Sequence, residues 1–108
     1  MSAEYFVDSA AGRTPQEAFE KAVREAQYRW GHEGYTGTIA EKNHLLDEKG
    51  KQCFIMFPTA PTEEKAFETA DRHSKNPELT KWGPVLCIPT LEKKQGETIY
   101  VFAGWASS

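Results

Sequence analysis

Ile99-Tyr100-Val101-Phe102-Ala103-Gly104-Trp105 carries large apolar side chains on both parities of an extended chain, Ile99 and Val101 on one and Tyr100 and Phe102 on the other. Successive side chains of a strand point to opposite faces of its sheet, so this stretch reads as a strand with two apolar faces. Gln52-Cys53-Phe54-Ile55-Met56-Phe57 has the same character, as expected of a strand buried on both sides, and Pro58 stops it. Whatever the remaining segments build must cover both faces of a sheet.

Working back from Ile99, Glu92-Lys93-Lys94-Gln95-Gly96 reads as a polar turn, and Gly83-Pro84 opens a preceding strand over 85–91. Before that, Thr59 or Thr62 offers a cap for a helix with Glu63 and Glu64 in its first turn, where the helix dipole favours acid. Its apolar stripe is thin: Ala66, Phe67 and Ala70. Arg72, His73 and Lys75 lie near its end, and Asn76-Pro77 forbids continuation. Leu79 and Trp82 fall in a connection that can dock on the core.

The N-terminal third gives a short strand at Glu4-Tyr5-Phe6-Val7-Asp8-Ser9-Ala10, then a capping box at Thr14-Pro15-Gln16-Glu17. Phe19, Ala22, Val23, Ala26 and Trp30 follow at steps of three and four, a helical stripe that faces the core. Gly31 ends this helix. Residues 38–46 read as a strand of poor alternation, turned back by Asp47-Glu48-Lys49-Gly50 into the strand at 52–57.

The order β-α-β-β-α-β-β matches a single α+β domain over residues 1–108, a two-layer sandwich of ferredoxin-like βαββαβ type with an extra C-terminal strand. The alternative is another two-layer α/β arrangement with an antiparallel sheet. In a two-layer domain the helices cover one sheet face, so the second apolar face calls for cover by self-association or a partner. Internal cover by side-chain stems and residues 79–82 would remove that need.

The chain has 108 residues, 39% apolar and 27% charged, the composition of an ordinary globular domain. A net charge of −3 argues against broad attachment to phosphate backbones or anionic lipid. No apolar run approaches bilayer length, and Met1-Ser2-Ala3-Glu4 lacks the start of a secretory signal, so a cytoplasmic protein is expected. Cys53 and Cys87 stand far apart within apolar runs and read as buried reduced thiols.

Arg29-Trp30-Gly31-His32-Glu33-Gly34-Tyr35-Thr36-Gly37-Thr38-Ile39 is the candidate site, with three glycines, two threonines and three large rings in eleven positions. Backbone N–H groups of 34–38, the Thr36 and Thr38 hydroxyls and Lys42 could hold a phosphate or carboxylate. The P-loop spacing is absent, and the turn leaves a helix rather than entering one. As a purely structural turn it would use its glycines for positive φ and pack Tyr35 on the sheet. His32 and Glu33, with Glu41 or His44 nearby, could do acid–base work, but no nucleophile motif accompanies them. His32, His44, His73, Cys53 and Cys87 lack zinc-site spacing, so no metal or other cofactor is expected. The glycine-aromatic signature of an RNA-recognition strand is also missing.

Residues 28–42, Tyr-Arg-Trp-Gly-His-Glu-Gly-Tyr-Thr-Gly-Thr-Ile-Ala-Glu-Lys, and the terminal Phe102-Ala103-Gly104-Trp105-Ala106-Ser107-Ser108 resemble small uncharacterised proteins of bacteriophages and their bacterial hosts. The resemblance implies a small intracellular accessory protein that acts on a host or defence component. The expectation is therefore a non-enzymatic, homo-oligomeric binding protein. Trp30, His32, Tyr35, Thr36, Gly37, Thr38 and Lys42 would contact a host or defence protein or an anionic small molecule. A small hydrolase or nucleotide-handling enzyme using His32 and Glu41 is the alternative, and a structural or assembly subunit is the third reading.

Overall fold

The structure, a computed structural model, describes residues 3–31, 37–42, 54–80 and 83–107. Its elements are β1 (Ala3–Gly12), α1 (Pro15–Trp30), a 3-10 turn (Ile39–Lys42), β2 (Phe54–Met56), α2 (Glu63–Arg72), β3 (Val85–Lys94) and β4 (Glu97–Ser107). The four strands form one mixed sheet in the order β1-β4-β3-β2.

β3 and β4 are the centre of this sheet and are joined by a turn shorter than the polar stretch suggested. Lys94 pairs with Glu97, leaving only Gln95 and Gly96 at the tip, with φ of 53° and 82°. Two consecutive positive φ values match the right-handed twist of a tight hairpin. β1 pairs with β4 antiparallel without a slip from Ala3↔Ser107 to Gly12↔Thr98. β2 pairs with β3 in parallel, which requires a crossover, and α2 lies within it.

α1 begins as its sequence indicates. Thr14 Oγ1 accepts from the Glu17 N–H at 3.1 Å, and Pro15 occupies the first helical turn. The Glu17 carboxylate reaches back to the N–H of Arg13, one residue before the cap. Gly31, at φ 89°, closes the helix, and its N–H donates to the Gln27 carbonyl at 2.8 Å. α2 is capped by Thr62, whose hydroxyl accepts from the Lys65 N–H at 3.1 Å.

The two helices lie on opposite faces of the sheet. Ala18, Phe19, Ala22, Val23 and Ala26 of α1 cluster with Phe6, Val85, Cys87, Tyr100, Phe102 and Ala106. Ala66 and Ala70 of α2 cluster with Leu79, Leu86, Ile88, Val101 and Ala103. The strand residues of the two sets alternate in parity, as one sheet covered from both sides requires. Further ties hold the second face: Tyr5 Oη donates to Asp71 at 2.9 Å and Trp105 Nε1 donates to the Ser74 carbonyl at 2.7 Å.

Four expectations are corrected here. The arrangement is α+β, but its strand order and its helices on both faces are not those of a two-layer ferredoxin-like sandwich, nor is the sheet purely antiparallel. One consequence is that α2 and Leu79 cover the apolar second face, so that face is no longer an argument for a homo-oligomer. Within 38–46, the described residues 39–42 form a 3-10 turn rather than a strand, because Thr38 caps it: its hydroxyl accepts from Ala40 N–H and its carbonyl from Glu41 N–H. Trp30, expected on the buried stripe of α1, is 65% exposed, since the buried positions of the helix stop at Ala26. β2 is also less enclosed than its composition suggests: it is an outer strand, with Met56 51% exposed. The expected hairpin loop at 47–50, Cys53 and Trp82 lie outside the described residues. No helix among the described residues is long and apolar enough to cross a membrane.

Candidate functional site

A cleft of about 500 Å³ lies along the outer edge of β1. Its floor is the consecutive run Tyr5, Phe6, Val7, Asp8 and Ser9; one wall is Ala22, Glu25, Ala26, Arg29 and Trp30 of α1, and Phe67 of α2 closes the other side. Gly37 and Thr38 complete the α1 end. A second hollow of about 390 Å³ continues from Ser9 through Ala10 and Ala11 toward Lys94 and Gln95, and shares Ser9 and Glu25 with the first. The two form a trough over most of β1, straddling the sheet edge because residues from both helices line it.

β1 alternates its side chains across this trough. Phe6 and Ala10 belong to the α1 side and Tyr5 and Val7 to the α2 side, which puts Asp8 on the α1 side, beside Glu25 and Arg29. Arg29 is already bonded to Glu25, at 2.6 Å. Asp8 has no hydrogen-bond or ion-pair partner among the described residues. Burial raises its carboxyl above the ordinary range, the Glu25 carboxylate pushes in the same direction, and Arg29 opposes both. A half-buried carboxylate held this way favours an incoming cation.

The residues expected from the sequence divide into three groups. Trp30, Gly37 and Thr38 meet at the cleft. Gly37 is buried with φ 71°, a conformation that suits glycine, and Thr38 is occupied as the cap of the 3-10 turn. Lys42 is drawn inward. It is 0% exposed, and its Nζ donates to the carbonyls of Thr80 at 2.9 Å and Gly83 at 3.0 Å. Burial lowers its ammonium to about 8. His32, Tyr35 and Thr36 lie outside the described residues, as does His44.

Asp8, Glu25, Arg29 and Phe67 were not among the expected site residues. Asp8 left one signal: it shares the parity of Phe6, so an acid stands on a core-facing row of a strand. Elsewhere the chemistry is sparse. Burial pushes the Cys87 thiol up to about 12, an inert core group. His73 packs edge-on against Phe57, at 4.7 Å between ring centres, with Nδ1 2.8 Å from the Thr69 carbonyl. No cluster of three metal-ligating side chains occurs among the described residues.

Fold and site together define a small α+β domain with a mixed sheet, clad on both faces, and a trough along one edge. Compared with known proteins, the chain matches no family model, no curated protein and no solved structure.

Proposed function

We propose that the chain is a non-enzymatic binding domain that holds a partner in the cleft between β1 and the C-terminal half of α1. The observation supporting this is that Trp30, Gly37 and Thr38 of the glycine-rich turn share one concavity with Asp8, Glu25 and Arg29. Of the two partner classes expected, a protein is favoured over an anionic small molecule. Asp8 and Glu25 outnumber Arg29 in the cleft, and Lys42 turns its ammonium to backbone carbonyls. The resemblance to small uncharacterised phage and bacterial proteins, which implies an accessory role, favours a host or defence protein as the partner class.

Trp30 gives the direct test because it is exposed at the rim and its loss costs little stability. Immobilised wild-type protein and Trp30→Ala are each exposed to a bacterial extract, and retained proteins are compared by quantitative mass spectrometry. A protein held by the wild type should fall about tenfold in the variant, as for an interface aromatic worth ~1.4 kcal/mol. Equal retention by both would remove the cleft as the binding site.

A hydrolase or nucleotide-handling enzyme is the second reading, favoured by Asp8, since a cleft carboxyl whose pKa is raised by burial and by Glu25 is a candidate general acid. Turnover by purified protein that disappears in Asp8→Asn would establish it.

A further inference from the structure

We infer that the outer edge of β1 receives an extended segment of a partner protein as an added strand, with a Lys or Arg of that segment facing Asp8. This rests on the binding reading above and specifies how binding occurs. β1 is an outer strand, ten residues long, in unbroken register with β4. In an antiparallel pair alternate residues turn their N–H and C=O groups away from the partner strand. No described residue takes those outward groups on β1. Of the usual protections of an edge, Ala3–Gly12 has no Pro, no Lys and no bulge; its inward-pointing charge, Asp8, hinders pairing with another acidic edge but not with a basic segment.

The trough supplies room where an added strand would lie. From Tyr5 to Ala11 it runs roughly 20 Å at the ordinary rise of a strand, enough for about seven residues. Its two sides differ in chemistry. One row of incoming side chains would meet Asp8, Glu25, Arg29 and Trp30, and the alternate row would meet Val7 and Phe67. Over Tyr5 to Ser9 the trough thus selects a segment alternating basic and apolar residues, while Lys21, Lys94, Glu63 and Glu97 make its far end mixed in charge; main-chain hydrogen bonds supply affinity and the two walls specificity.

Charge decides between a partner segment and a second copy of this chain. Antiparallel self-pairing centred on Val7 sets Asp8 diagonal to its own counterpart, at about 7–8 Å. It would also bring two acidic α1 walls together on one face. A basic segment instead gives Asp8 an ion-pair partner of its own, since Arg29 is bonded to Glu25.

The test uses labelled ten-residue peptides of alternating Val and Lys, alternating Val and Glu, and the Val–Lys peptide N-methylated at every second residue. Anisotropy reads affinity, and amide hydrogen exchange reads protection along β1. The Val–Lys peptide should bind about tenfold more tightly than the Val–Glu peptide, protect alternate amides between Tyr5 and Ala11, and lose binding on N-methylation. Asp8→Lys should reverse the charge preference. Binding indifferent to N-methylation, or without protection on β1, overturns strand addition. If Trp30→Ala still releases a cellular protein, the binding reading survives that result. Protection of β1 that grows with protein concentration alone would show a second copy as the occupant and overturn the inference.

Discussion

Asp8 stands where a structural carboxylate would not be placed. Half-buried beside Glu25, it is held above its ordinary titration range by burial first and by Glu25 second. The sign of its effect on folding follows. In the window between its unfolded and its raised folded value, the folded state binds more protons than the unfolded chain, so stability falls as pH rises through that window. Asp8→Asn should therefore stabilise the protein at neutral pH by about 0.5–1 kcal/mol and flatten that slope, both read by urea unfolding. A destabilised variant would mean that the charge serves the fold. Lys42 teaches the converse lesson. Its position beside a glycine-rich turn suggested an exposed anion contact, yet a long aliphatic stem followed by a charge also suits a side chain that crosses the core to reach the Thr80 and Gly83 carbonyls. Sequence spacing does not reveal which carbonyls tertiary structure will leave waiting.

At the scale of elements, the helices were legible because their caps are local. Thr14, Pro15, Gly31 and Thr62 act within one turn of themselves, and each does what its type allows. The strands were legible as strands, but not their neighbours. Phe54–Met56 has the composition of a central strand and lies outermost, since apolar content reports burial and not pairing. The expected strand at 38–46 gave way where Thr38 caps a 3-10 turn. One junction shows how tightly the elements are set. A Cβ on Gly12 would lie 2.6 Å from the Ala18 backbone nitrogen. Gly12→Ala should thus cost about 1–3 kcal/mol in urea unfolding, since two backbones must separate. A cost within about 0.5 kcal/mol would mean that the end of β1 and the start of α1 are not in contact.

For the whole molecule, the decisive fact is that, among the described residues, one helix covers each sheet face. The double-sided strand 99–105 announced two buried faces, but nothing in it could say that α2 would cross to the second. That depends on β2 and β3 running parallel, a relation set by partners distant in sequence. Ala66 and Ala70, fully buried, let α2 settle close to Leu86, Ile88 and Val101. Ala70→Leu should overpack this layer and cost about 1–3 kcal/mol. Since the cover is internal, the loss should be the same at every protein concentration. A loss that diminishes on concentrating the protein would instead place a second chain against this face.

The unbroken pairing of β1 with β4 also has a consequence for biosynthesis. Ala3 meets Ser107 across that ladder, so β1 is synthesised about a hundred residues before the strand that pairs with it. The β3–β4 hairpin, closed by Gln95 and Gly96, can form within microseconds of emerging. β1 must persist until then as an unpaired ribbon, which exposes the nascent chain to strand-seeking chaperones, and to its own neighbours on a polysome, until β4 has emerged.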